Sequence, residues 1–280
     1  MTSDTAGPLD PDALYDGFAA DYRDWWAPVI APAAVTLLER LDGELQVDRP
    51  LTIVDVGSGT GTLALAALRR WPLARAIGVD PARRLLDYAE ADARTAGLAE
   101  RLRVEVGEAD RLPVADGSAD VVLTSFVLQL VPNRVAAVRE AFRVLRPGGT
   151  FAHLTWQVDE EPWEPEEVVG DVLEDLGIAE PERGPGAGHS YASPRAAAVE
   201  LQRVGFRSVR AREVWLEHRF TPQGFLDVAE HWTEDDTFAS LDEPMRQRLR
   251  EELLRRLEDL DTEELLYRRP LVSVVARRPG

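Results

Sequence analysis

The stretch VDVGSGTGTL, residues 54–63, closes the apolar run LTIV with three glycines at alternate positions, Gly57, Gly59 and Gly61. An apolar strand ending in such a turn, and running on into the helical pattern TLALAALRRW, opens an α/β unit. Strand and helix are then joined by a connection almost free of side chains. Pro72 stops the helix. The pattern then repeats. ARAIGV reads as a second strand, and PARRLLDYAEADARTAG as a helix opened by proline and closed at Gly97. LRVEVGE is a third strand, ADVVLTSF a fourth, NRVAAVREAFRVL a helix, and TFAHLTW a fifth strand after the turn PGG. These strands are continuous apolar runs, as strands covered on both faces must be. The expected fold is therefore α/β, a doubly wound and mostly parallel sheet.

Segments outside the alternation have other jobs. DPDALYDGFAADYRDWW carries Leu14, Phe18 and Tyr22 at helical spacing, and APAAVTLLERL is a second helix ending near Gly43. After Trp156 comes an acidic stretch rich in proline and glycine, residues 157–188, read as a short helix between flexible loops. SPRAAAVELQRVG is a capped helix and FRSVRAREVWLEHRF a long strand. TPQGFLDVAEHW and EPMRQRLREELLRRLEDL are helices, and PLVSVVARRP closes the chain as a strand. Residues 1–280 read as a single domain, with a helical lid over 1–45, a flexible insert over 157–192 and a helical cap insert over 220–268.

Charge narrows the partners. The chain has 32 basic and 50 acidic residues, a net charge of −18, and no lysine. Such a surface repels a phosphate backbone, so no nucleic-acid partner is expected. The absence of cysteine excludes disulfides, thiolate nucleophiles and cysteine metal ligands, and no metal site is expected. No apolar run approaches the ~18 residues of a membrane span. The N-terminal MTSDTAGPLDPDAL has neither a basic nor an apolar leader region. A cytoplasmic protein without a membrane partner is expected.

Three ligand classes use a glycine turn at a strand's carboxyl end. A P-loop requires a lysine, which this chain lacks. A dinucleotide fold requires Gly-x-Gly-x-x-Gly/Ala, whereas the third glycine here comes one position early, at Gly61, and Thr62 follows it. A nicotinamide-dependent oxidoreductase therefore remains an alternative with an imperfect fit. The third class is S-adenosylmethionine, which has an ammonium, a carboxylate, a ribose and an adenine but no phosphate. Asp55 can serve the ammonium. Asp80, in AIGVDPA, can take both ribose hydroxyls or simply cap the helix that opens at Pro81. Glu108 and Asp110, after the third strand, can accept from the adenine amino group.

These motifs resemble a known family. VDVGSGTGTL, GVDPA, GEADRLPVADGSADVV and VLRPGGTF look like the successive motifs of class I S-adenosylmethionine-dependent methyltransferases. Within them they are similar to the ubiquinone/menaquinone-biosynthesis-like small-molecule branch. The resemblance covers about residues 50–156. It implies a seven-stranded Rossmann-like sheet whose last strand, LVSVVARR, is antiparallel. It also implies cofactor contacts from Asp55, Gly57, Ser58 and Gly59 at the methionine end. Asp80 and Pro81 would hold the ribose, Glu108 and Ala109 the adenine, and Ser125 and Phe126 would lie near the sulfonium. Glu108 departs from the aspartate usual at its position. A non-catalytic protein that keeps this fold as an interaction module is the other alternative.

Methyl transfer from a sulfonium is an in-line displacement with a neutral leaving group, so orientation can supply most of the catalysis. A general base matters only if the acceptor must lose a proton. His189, in GAGHSYASP, and His231, in AEHWTE, are the candidates; His153 reads as a core residue and His218 as an exposed one. The aromatic Tyr15, Phe18 and Tyr22 of the lid, with Trp156, Tyr191 and Trp232, are expected to bind a flat or apolar small-molecule acceptor.

Overall fold

The computed structural model describes residues 17–179 and 190–280. Seven strands form one sheet in the order β3-β2-β1-β4-β5-β7-β6. They are β1 (Leu51–Val56), β2 (Ala74–Asp80), β3 (Leu102–Val106), β4 (Ala119–Ser125), β5 (Leu145–Trp156), β6 (Arg207–Arg219) and β7 (Leu266–Arg277). All are parallel except β7, which pairs antiparallel with both β5 and β6. The strand order reverses between β1 and β4, so their carboxyl ends form the crevice where open α/β sheets take ligands. The last strand runs against its neighbours, as the resemblance implied.

The helices are α1 (residues 17–21), α2 (Ala27–Glu39), α3 (Thr62–Arg70), α4 (Arg83–Thr95), α5 (Arg134–Val144), α6 (Glu164–Leu176), α7 (Pro194–Val204), α8 (Pro222–Val228), α9 (Asp235–Ser240) and α10 (Glu243–Glu258). Local chemistry sets several starts. Asn133, Ser193, Thr221 and Asp242 each accept a hydrogen bond from a first-turn amide, and proline follows directly at Pro194 and Pro222. Gly177 ends α6 in the left-handed region, φ 66°. Leu37, Leu38, Leu63 and Leu68 of α2 and α3 bury one face of the sheet, and Val138, Val144, Ala197 and Leu201 of α5 and α7 bury the other.

Three elements depart from the sequence reading. The two N-terminal helices are one helical run over residues 17–39, joined by a π-helical turn at Tyr22–Trp26. Pro28 and Pro32 lack the amides that an α-helix would use, and the Ala27 N–H reaches back five residues to the Tyr22 carbonyl. β5 begins at Leu145, the last residue read as helix and ahead of the PGG turn, because Leu145 already pairs with Ala119 before a register shift. The insert after Trp156 is packed over residues 163–178 rather than loose. Val169, Val172 and Leu173 form an apolar stripe on α6, buried in a cluster with Leu249 and Leu253 of α10, and the buried Trp163 donates its Nε1–H to the Glu264 carbonyl at 2.9 Å. Residues 180–189 of that insert lie outside the described residues.

Candidate active site

The glycine turn sits at the carboxyl end of β1, and its amides are tied to β2. The N–H groups of Gly57 and Ser58 both donate to the Val79 carbonyl, at 2.7 and 3.0 Å. Gly57 has φ 67°, and a Cβ there would stand 2.2 Å from the Val127 side chain, so only glycine fits. Behind the turn lie two buried carboxylates. Asp55, 1% exposed, accepts from the Ala64 N–H at 2.9 Å and so anchors the first turn of α3. Burial pushes its carboxyl from 3.8 up to about 7; the Ala64 N–H opposes the shift and the nearby Asp80 adds to it. Asp80, 7% exposed, accepts from the Gly59 N–H at 2.8 Å and the Ala82 N–H at 3.0 Å.

Asp80 is thus both a clasp on the glycine turn and a support for the start of α4. The two readings left open by the sequence are not exclusive, because a carboxylate oxygen accepts more than one hydrogen bond. α4 begins at Arg83, two residues after the half-buried Pro81. Glu108 is exposed in the turn after β3 with the half-buried Ala109 beside it, and the Gly107 N–H donates to the Asp80 carbonyl at 3.2 Å. The residues that the resemblance assigns to the adenine therefore stand next to the one it assigns to the ribose. The Ser58 hydroxyl is buried without a hydrogen-bond partner.

Across the crevice, Ser125 ends β4 and Phe126 follows with φ 57°, a left-handed conformation uncommon for a bulky side chain. Both of its backbone groups are held: its N–H donates to the Leu154 carbonyl at 2.9 Å and its carbonyl accepts from Gln129 Nε2 at 2.7 Å. Gln129 Oε1 accepts in turn from the Thr155 hydroxyl at 2.6 Å. Gln129 is buried and was not foreseen, since nothing in its sequence neighbourhood distinguishes it from a surface glutamine. Gln129→Ala removes two buried hydrogen bonds. It is expected to cost about 1–3 kcal/mol in a denaturant melt; an unchanged midpoint would show that Phe126 holds its conformation without it.

A cavity of ≈ 30 Å³ lies between Asp55, Gly57, Ser58, Ser125 and Phe126 under a roof of Tyr22 and α2. A Cβ on Gly59 would stand 3.8 Å from the Tyr22 ring, so the N-terminal π-turn lies directly over the glycines. This turn meets a second one at Ala229–Thr233. Trp25 stacks on His231 at 4.8 Å, Tyr22 meets Trp232 at 5.5 Å, and Trp26 meets Trp232 at 6.4 Å and Trp156 at 6.5 Å. Trp156 packs on Phe126 at 4.9 Å, joining this roof to the crevice. Phe18 is half-buried in the same N-terminal helix. Tyr15 and His189 lie outside the described residues.

Tyr191 stands elsewhere. Its backbone bonds to Trp156 and Val158, but its ring is 2% exposed in the opposite core layer, its hydroxyl donates to Glu200 at 2.6 Å and Arg134 covers its face at 4.0 Å. It does not join Trp232 in a pocket wall, because extended backbone at this edge sends Trp156 and Tyr191 to opposite faces of the sheet. His153 is buried in the sheet with no partner on either nitrogen, and burial, with Arg134 and Arg40 nearby, pushes it down to about 3. His218 is half-buried against Phe220 rather than exposed. His231 is thus the one described histidine in the aromatic roof.

Comparison with known proteins places this geometry in context. The family model described as a methyltransferase domain matches residues 54–153. Over 97 residues the chain is 41% identical to the ubiquinone/menaquinone biosynthesis C-methyltransferase UbiE of Dinoroseobacter shibae, covering 35% of this chain and 39% of that protein. The chain therefore spans well under half the length of this curated relative. Among solved structures, the [4+2]-cyclase SpnF superposes with a TM-score of 0.60 at 19% identity, covering 96% of each chain. The geranyl diphosphate methyltransferase in complex with SAM superposes with a TM-score of 0.52 at 18% identity, covering 89% of this chain and 85% of that one. At such identities the likeness establishes the fold, a Rossmann-like methyltransferase sheet. It is a fold that also carries a cyclase, so activity has to be argued from the site.

Proposed function

We propose that this chain, whose residues 54–153 match a methyltransferase domain, is an S-adenosylmethionine-dependent methyltransferase of a small, aromatic or otherwise apolar acceptor. The observation that carries the reading is Asp55. A buried carboxylate lies directly behind the glycine turn, where a dinucleotide would place its pyrophosphate. Two negative groups there would repel each other, whereas a ligand bearing an ammonium is attracted. Asp80 and the turn at Glu108 supply acceptors for ribose and adenine, and the start of α3, with the Thr60 and Thr62 hydroxyls, suits a carboxylate. These residues fit the cofactor chemically. The room under Tyr22 requires that the Tyr22–Trp26 turn shift to admit it.

The cofactor supplies an electrophilic methyl group on a sulfonium. The chain's own residues then have three tasks. Asp55, Asp80 and the glycine turn hold the methyl donor in one orientation, which is the largest contribution open to the protein, of order 7–11 kcal/mol. Tyr22, Trp26, Trp156 and Trp232 close an apolar roof that keeps water out and gives the acceptor a flat surface. His231, held by its stack on Trp25, is the described candidate to take a proton from the acceptor; His189 is the other.

Calorimetry with S-adenosylhomocysteine and with NADH tests the reading. A binding isotherm for S-adenosylhomocysteine and none for NADH is expected. Binding of NADH alone would move the protein to the oxidoreductases.

A further inference from the structure

We infer that the aromatic cavity between α6 and α8 seats the apolar body of the acceptor, and that Gly170 is the residue that keeps it open. The inference rests on the methyltransferase reading only for calling the occupant an acceptor. The cavity measures ≈ 290 Å³, close to the lower end of small-molecule sites. Trp26, Trp163, Phe220, Phe225 and Tyr267 give it ring faces and edges, while Thr233 and Glu166, which pairs with Arg269, line it too. Trp163 meets Tyr267 at 4.8 Å, Phe225 at 5.1 Å and Phe220 at 5.7 Å. A second cavity of the same size lies at the amino ends of the parallel strands, but it is lined by charges that pair with one another: Arg49 and Arg146 with Asp120, and Arg277 with Glu44.

Gly170 is the unusual member of the aromatic cavity. It sits in the middle of α6, where glycine is less favourable than alanine because of its backbone entropy. Its backbone is not left-handed, and a Cβ there would find nothing within 4 Å. Neither a turn nor a close helix contact therefore calls for glycine at this position. The space it leaves belongs to the cavity it lines. Gly170 is half-buried there.

Two further observations define the occupant. Glu234, 8% exposed, lines the same cavity and already accepts from the Thr237 hydroxyl at 3.4 Å; a carboxylate takes more than one donor, so a hydroxyl or amine on an otherwise apolar, ring-bearing molecule can share it. The cavity is separated from the crevice by packed rings, and a shift of the Tyr22–Trp26 turn, needed in any case to admit the cofactor, would part them. Trp26 lines it, packs on Trp156, and Trp156 packs on Phe126 beside the glycine turn. The acceptor's body lies on the far side of Trp26 and its reacting end extends past that ring toward the turn.

The probe is 2-naphthol, a flat apolar molecule with one hydroxyl, titrated into the full chain and followed by its fluorescence. The wild type is expected to bind it. Gly170→Leu, which fills the cavity while favouring the helix, is expected to weaken binding at least tenfold, with an undiminished Tm and S-adenosylhomocysteine binding within twofold of the wild type. Gly170→Ala should weaken the probe about threefold, and it carries the test if the leucine variant does not fold. No binding by the wild type, or equal binding by the wild type and the folded variant, overturns the proposal. If the probe and its loss behave as expected while S-adenosylhomocysteine fails to bind, the cavity stands and the methyltransferase reading falls.

Discussion

Asp80→Ala is expected to weaken S-adenosylhomocysteine binding about a hundredfold and, at the same time, to cost about 3 kcal/mol of folding stability. The carboxylate accepts from two buried amides, Gly59 N–H in the glycine turn and Ala82 N–H at the cap of α4. Alanine leaves both unpaired, and buried hydrogen bonds to a charged group are worth ~1.5–3 kcal/mol each. The turn loses its tie to β2 and the ribose hydroxyls lose their acceptor together. A sequence reading expects the fold to survive this change, since the residue stands at a strand end; the buried amides alter that expectation. Calorimetry paired with a urea melt separates the two effects. A stability loss with unchanged affinity would leave Asp80 as scaffold alone, and the ribose assignment would fail.

Asp55→Asn is expected to remove a pH dependence that the wild type carries. Below pH 3.8 the carboxyl is protonated in both the folded and the unfolded chain. Between 3.8 and about 7 the unfolded chain releases its proton while the folded chain keeps it, so stability falls as pH rises. Above about 7 the loss is complete and constant, up to about 4 kcal/mol for a shift of this size. Asparagine keeps an oxygen for the Ala64 N–H without the charge, so melts of the variant should be flat in this respect from pH 4.5 to 8. Ligand binding runs the other way. An ammonium near Asp55 favours the ionised form, so wild-type affinity for S-adenosylhomocysteine should climb as pH rises toward 7, by at most about tenfold per unit, and level off above it. Variant and wild type tracking each other across that range in both measurements would remove Asp55 from the ligand's surroundings.

Much of the core was readable along the chain because its signals are local. The run LTIVDV, the glycines that follow it and the proline-opened helix after Asp80 are consequences of backbone geometry within ten residues. The doubly wound sheet needed no more than that alternation, and its antiparallel last strand came with the resemblance in four motifs. Long-range contacts carried no such signal. Gln129 looks like any polar residue until Phe126 and Thr155 are folded against it. Tyr191 follows a histidine and a serine in a loop, and its sequence position gives no hint that its ring turns away from Trp156 to meet Arg134 and Glu200.

From sequence alone follow the doubly wound sheet, the glycine turn and the acids at the ends of β1 and β2, since each depends on periodicity or on a residue type at a strand end. Folding in three dimensions settled how the acids are used and what lies above them. Asp80 meets Gly59 across twenty-one positions. Two π-helical turns more than two hundred residues apart bring Trp25 onto His231 and Tyr22 onto Trp232. Gly170 is an ordinary helix weakness in the sequence and a cavity wall in the fold. The reason is the same in each case. Propensity and hydrophobic pattern act on neighbours in the chain, whereas burial, carboxyl desolvation and ring stacking depend on which distant segments the sheet brings together.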